Sequence, residues 1–361
     1  IVTAFNKTGA GGTVTLYTSN ASTTTTAETQ TGNNFSNITL TGATVIAGWS
    51  NTDGGSPVKT VTGNTFSNWT TGAGAITVLN VNFNGNSSSV SSNTISNING
   101  QSTISGIVIG SSGTSTLVTV ASNSVTGLTS SGTGGAVLGI SAASAATTTN
   151  LNNNTVSGLS TTSTCTGIST TATTINLTSN LVNTLSSSGA SSTVTGILVS
   201  SGTTPTVTGN TVNTLLSTGV STTTTLVDGI RVSGGTTVTL SKNKIYDIAA
   251  TGTMPAATVT IVRGIAISTG TSVTAVNNLV GDLRAPATTY TDAIHGIAIP
   301  FANASSTYKI YFNTVFVNAT STGTNFGTSG LFAAGSATAT SSALDLRDNI
   351  IDNRSTPNGA A

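Results

Sequence analysis

What the chain lacks narrows its identity before any motif is considered. Of 361 residues only 5% are charged, the formal net charge is +1, and no Asp, Glu, Lys, Arg or His occurs between Lys59 and Asp228. Nucleic acids and anionic lipid surfaces are bound through clustered Lys and Arg, so neither is expected as a partner. No apolar run approaches the roughly 18 residues of a membrane span, and no signal peptide opens the chain. A lone cysteine, Cys165, excludes an internal disulfide. Acids are too sparse for a structural metal array and the calcium-binding nonapeptide Gly-Gly-x-Gly-x-Asp does not occur, so no metal or cofactor is expected. The first residue is Ile1 rather than Met, and the chain reads as a piece of a longer protein.

What is present is a repeat. Low charge with abundant Thr, Ser, Asn and Gly would suit a disordered linker, but disorder couples low hydrophobicity to high net charge, and 36% of this chain is hydrophobic. An Asn recurs at Asn33, Asn64, Asn93, Asn123, Asn154, Asn180, Asn210, Asn243, Asn278, Asn313 and Asn349, at spacings of 26 to 36 residues. Two places after each comes an apolar residue, as in Phe66, Ile95, Val156 and Ile245. Three places before it, from the second repeat onward, stands another, as in Val61, Leu151 and Leu240. A third apolar column lies five places after the Asn and fails only at Asn318 and Arg354. Between these phrases a Gly-Ile phrase returns as "SGIVI", "LGISA", "TGIST", "TGILV", "DGIRV", "RGIAI" and "HGIAI", then as "SGLFA".

Each repeat thus contains three short runs of β-branched, period-two character, which argue strands rather than helices. Three strands per turn, each paired with its counterpart in the next, make an all-β parallel β-helix. Parallel connections favour the right-handed sense. The expected fold is therefore one β-helix domain over residues 1–361, with about eleven coils and a length of roughly 50 Å at the ~4.8 Å strand spacing. The repeated Asn is expected in the left-handed bend between the first two strands, its amide hydrogen-bonding from coil to coil as a ladder.

Chemistry-bearing residues are few. Cys165 lies two places before a Gly-Ile glycine, in a column otherwise filled by Ile104, Val137, Val194, Val227, Val262 and Ile294, so it reads as a small inward hydrophobe. The residue just before the glycine becomes Asp228, Arg263 and His295 in three successive coils, with Arg231 close by. These and Tyr290 are the candidate ligand-binding residues. Tyr246 and Phe316, three places after their Asn, are outward aromatic candidates in the same region. Glycosidic cleavage needs two carboxylates at defined separation, whereas the column offers one acid, so no catalytic residues are assigned. The alternative for the column is a surface salt-bridge ladder of small energetic value. Asn-x-Ser/Thr triplets, as at Asn37 and Asn68, follow from composition.

The segments "KNKIYDI", "NNLVGDLRAPATTYTDAIHGIAI", "YKIYFNTVFVNATSTGTNFGTSGLF" and "LDLRDNIIDNRSTPNG" resemble the β-helix repeats of large secreted proteins of Bacteroidota-type bacteria. The resemblance covers roughly residues 228–361, and the earlier coils match only the general β-helix repeat. It implies export by the type IX system, which uses a C-terminal sorting domain not seen here, and an extracellular or cell-surface location. It implies no catalytic residues. The combined expectation is a non-enzymatic stalk or body of a surface adhesin or filament, with glycans, further copies of itself end to end, or other surface or secretion-system proteins as partners. A polysaccharide-binding or polysaccharide-degrading β-helix is the alternative.

Overall fold

The computed structural model describes residues 2–9, 11–19, 27–51, 57–82, 85, 87–111, 115–300, 305–335 and 342–359. The chain divides into two compact units, residues 1–181 and 182–361. In both, the described elements are strands, and every pairing between strands is parallel. Among the described residues, no helix is long and apolar enough to cross a membrane.

A coil of the first unit shows the plan. Leu117–Ala121 precedes the Asn, Ser124–Ser130 follows it, and Val137–Ser144 carries the Gly-Ile phrase. Each of these strands joins a separate sheet. The apolar columns expected from the repeat are the actual register partners: Val90 with Val61 and Val120, Ile95 with Phe66 and Val125, and Ile104 with Ile76 and Val137. The second unit repeats the plan with Thr237–Ser241, Lys244–Ala250 and Val262–Ile267. There Leu240 faces Val207 and Ala275, Ile245 faces Val212 and Val280, and Val262 faces Val227 and Ile294. These columns are fully buried and form the core of a parallel β-solenoid with three strands per coil. Cys165 is one of them, buried beside Val137 with its thiol 3.8 Å from the Leu159 carbonyl.

The Asn ladder is present, and its geometry accounts for every polar atom of the amide. Asn154 donates from its backbone N and its Nδ2 to the Oδ1 of Asn180, at 3.0 Å each. Its second Nδ2 hydrogen goes to the Val120 carbonyl at 2.9 Å, and its own Oδ1 accepts from the N and Nδ2 of Asn123. The same bonds link Asn33, Asn64, Asn93 and Asn123 in the first unit, and Asn210, Asn243, Asn278, Asn313 and Asn349 in the second. A buried amide with all its valences filled is stabilising, whereas one left unfilled would be costly.

The ladder Asn does not occupy the left-handed bend. That conformation belongs to the residue before it: Gly32, Gly63, Ser92, Ser122, Asn153, Ser179, Gly209, Lys242, Asn277, Phe312 and Asp348, with φ between 50° and 67°. Left-handed backbone costs a non-glycine residue roughly 1–2 kcal/mol, and Lys or Phe is no natural choice for it. The ladder fixes the turn, and the preceding residue takes whatever conformation the turn requires.

A second left-handed residue explains the uneven spacing of the core columns. Simple alternation would point positions two, four and six after the Asn inward. Four places after the Asn, however, Asn37, Asn68, Asn97, Gly127, Gly158, Thr184, Thr214, Asp247 and Asp282 are left-handed, with φ from 49° to 66°. The kink shifts the phase by one, so position five turns inward: Ile38, Trp69, Leu128, Leu215 and Leu283 are buried. At Asn313 the kink is missing, Val315 and Val317 are both buried by plain alternation, and the five-place column accordingly ends at Asn318. Asn37 and Asn68 are thus kink residues whose amides bond to each other at 3.1 Å.

The glycine of the Gly-Ile phrase is explained by close packing. A Cβ on Gly229 would stand 2.5 Å from the Gly264 carbonyl oxygen and 2.5 Å from a methyl of Ile245. Gly106, Gly139, Gly196, Gly264 and Gly296 meet the corresponding Val in the same way, at 2.3 to 2.8 Å.

Candidate functional site

The strands Val227–Val232, Val262–Ile267, Tyr290–Ile299 and Phe326–Ala333 build the candidate site within the second unit. Their register places Asp228, Arg263, His295 and Ser329 in one column, on adjacent strands as the repeat requires. Three residues further along lies the column of Arg231, Ala266, Ala298 and Phe332.

Asp228 and Arg263 form a two-pronged pair, Nε to Oδ1 at 2.7 Å and Nη2 to Oδ2 at 2.9 Å. Their side chains are only 5% and 11% exposed, so the surface salt-bridge ladder allowed by the sequence is not what forms. Thr223 to Thr225 of the loop 218–226 and Thr258 to Thr260 of the loop 251–261 border the same groove as Arg263 and His295. The two loops are tied together by Thr258 to the Thr222 carbonyl and Thr225 to the Thr260 carbonyl, at 2.8 Å each, and Thr260 donates to the carbonyl of Asp292 on the strand Tyr290–Ile299 at 2.9 Å. Side chains that alternation points outward are therefore buried beneath hydroxyl-rich loops.

His295 does not extend the Asp228–Arg263 pair. Its Nε2 lies 2.6 Å from Oδ2 of Asp292 and 3.2 Å from Oγ1 of Thr260, and its ring stacks on Phe332 at 4.2 Å. Ser329 donates to the other Asp292 oxygen at 2.7 Å. Asp292 is a second carboxylate that the column pattern had not brought to the site. It reaches His295 because the strand Tyr290–Ile299 changes register between Tyr290, paired with Phe326, and Ile294, paired with Thr328, leaving Asp292 between them without a register partner on that strand. The sequence signal was an acid three places before the histidine in "DAIH".

These groups line a groove of about 560 Å³ that includes Arg231, Arg263, Tyr290, Asp292, His295 and Phe332, with threonines along its loop side. Tyr290 and Thr258 also border a neighbouring groove of about 420 Å³. Four of the five candidate ligand residues therefore share one groove, while Asp228 lies behind it, held by Arg263. Two buried atoms of the lining have no hydrogen-bond partner among the described residues: Nε of Arg231 and Nδ1 of His295, the latter in a side chain 3% exposed. Tyr246 and Phe316 belong to the Asn sheet, away from the groove, with Lys244 and Arg354 stacked against them.

A separate polar cluster lies on the strands Thr307–Tyr311 and Ala343–Arg347. Tyr311 donates to Asp345 at 2.6 Å, and Arg347 grips the same carboxylate. The hydrogen bonds from Arg347 and Tyr311 hold the Asp345 carboxyl below its ordinary range, and the bond to Asp345 raises the Tyr311 hydroxyl. The cluster is closed on itself. Among the described residues, no group of three or more His, Cys, Asp or Glu could hold a metal ion. Compared with family models, with curated proteins and with solved structures, the chain matches none.

Proposed function

We propose that this chain is a non-enzymatic, extracellular β-solenoid, the stalk or body of a bacterial surface adhesin or filament, whose second unit contacts a glycan. The resemblance to type IX secretion substrates supports the location. The observation on which the reading rests is the groove: hydroxyl-rich, flanked by the Tyr290 and Phe332 rings, and lined by Arg231, Arg263, Asp292 and His295. Sugars are recognised by such combinations, hydroxyls bonding to polar groups and ring faces stacking on aromatics. Residues 60–227, with no charged side chain, serve as spacer.

A polysaccharide-cleaving reading would start from Asp292 and His295. It is supported less well, because the second carboxylate, Asp228, is closed off by Arg263 and does not line the groove. Alanine at Asp228, Arg231, Arg263, Tyr290 and His295 together, tested on a glycan array and in cell attachment, is expected to abolish binding. Full binding by that variant rejects the site, and release of reducing or unsaturated ends from a bound polysaccharide rejects the non-enzymatic reading.

A further inference from the structure

We infer that the groove of the second unit takes an acidic sugar, its carboxylate at Arg231 and its hydroxyls at the His295 end; this rests on the glycan reading above and names the ligand class. The other four arginines of the chain each pair with an aspartate: Arg263 with Asp228, Arg284 with Asp247, Arg347 with Asp345 and Arg354 with Asp352. Arg231 has no such partner among the described residues, although its Nε is buried in the groove wall. A guanidinium N–H shut away from water without an acceptor is costly, and its best acceptor is a planar carboxylate that can take two N–H groups at once.

The second orphan narrows the ligand further. His295 is held by Asp292 and Thr260 through Nε2 and by Phe332 across its ring face, which leaves Nδ1 buried and without a partner among the described residues. A hydroxyl can satisfy that nitrogen whichever tautomer is present, because it both donates and accepts. Arg231 and His295 sit two coils apart and three residues out of column, roughly 10 Å across the strands and roughly 10 Å along them, or about 14 Å between their backbones, and the column between Arg231 and Phe332 holds only Ala266 and Ala298. The wall thus asks for a carboxylate at one end and hydroxyls at the other, in a ligand one or two sugar rings long. The Asp228–Arg263 pair contributes no net charge beside them, and the Asp292 carboxylate in the lining is bound at the far end by His295 and Ser329, so Arg231 supplies the charge that distinguishes an acidic ring from a neutral one.

The test uses the full chain on an array of carboxylate-bearing glycans, the same glycans with the carboxyl reduced to an alcohol, sulfated glycans and neutral ones. Binding is expected only to carboxylate-bearing glycans, falling at least tenfold on carboxyl reduction. Arg231→Gln should lose at least tenfold in affinity with an unchanged unfolding midpoint. Arg231→Lys, which keeps the charge without the fork, should lose most of it as well, and it stands in should the Gln variant fold poorly. Unchanged binding by both variants, a preference for sulfated glycans, or equal binding to reduced glycans overturns this inference. Neutral-glycan binding that depends on Tyr290 and His295 would overturn it while leaving the glycan reading in place. The absence of any glycan ligand would overturn both.

Discussion

Asn153 and Asn154, adjacent in the chain, divide one turn between them. Asn153 takes the left-handed backbone at φ 54°, and Asn154 takes the five hydrogen bonds of the ladder. The same division holds at every coil, whatever residue precedes the Asn. The two roles can be separated by mutation.

Replacing Asn154 with Leu removes an acceptor from Asn123 and a donor from both Asn180 and Val120, all buried. Unpaired buried groups cost about 1–3 kcal/mol each, so the urea midpoint of the first unit should fall clearly. Asn153→Gly should be neutral or slightly stabilising, because glycine adopts the left-handed region freely. Asn153→Val should cost about 1–2 kcal/mol. Equal losses for Asn154→Leu and Asn153→Val, with Asn153→Gly also destabilising, would show that the roles are not divided this way.

Gly229 tests the close approach of the Gly-Ile strand to the Asn sheet. A methyl there overlaps the Gly264 carbonyl and Ile245, and overpacking costs about 1–3 kcal/mol or more when backbone must move. Gly229→Ala should therefore lower the unfolding midpoint of the second unit, and pairing it with Ile245→Val should recover part of the loss. Calorimetric scans of the single and double variants decide it, and a midpoint unchanged by Gly229→Ala would contradict the packing.

How much of this was legible in the sequence depends on which property repeats. The core columns and the ladder were legible because each coil presents the same side chain to the same neighbour, so Asn154 and Cys165 could be placed by counting. The bend was misassigned because the left-handed position holds Gly, Ser, Asn, Lys, Phe and Asp in different coils; its conformation is imposed by the ladder and leaves no signature of its own. Asp292 was missed because it lies within a register shift, outside the column that counting follows. Burial of Asp228 and Arg263 depends on the loops 218–226 and 251–261, whose course no periodicity describes.

Cys165 offers a direct reading of the column assignment. It is fully buried, so a thiol reagent should leave the native protein unmodified and react only as the chain unfolds. Cys165→Val should be nearly neutral, since its neighbour in the column is Val137. Rapid labelling under native conditions would contradict the inward placement.

The Tyr311–Asp345–Arg347 cluster sets a pH dependence at both extremes. Asp345 is held below its ordinary value of 3.8, so its stabilising contribution is present above that value and is lost as pH falls through the lower folded value. Tyr311 is held above its ordinary 10.0, so its contribution is present below that pH and is lost as pH rises through the folded value. The difference in urea midpoint between wild type and Asp345→Asn should therefore be flat at neutral pH and shrink on both limbs. A difference independent of pH would mean that the cluster contributes no linkage.

The Asp228–Arg263 pair should behave as a buried pair rather than a surface one, although both partners stand on the outward face of their strands. Each guanidinium–carboxylate bond is short and both side chains are nearly covered. Removing one partner of such a pair leaves an uncompensated charge and costs about 3–5 kcal/mol, whereas replacing both by apolar residues of similar volume is often neutral. Arg263→Met alone should accordingly destabilise the second unit strongly, Asp228→Leu alone by a comparable amount, and the double variant much less than the sum. Surface pairs contribute only about 0–1 kcal/mol, so single losses of that size would mean that the covering loops open in solution. The same double variant should keep Arg231 and His295 in place, so its glycan binding also reports whether the pair merely supports the groove or takes part in recognition.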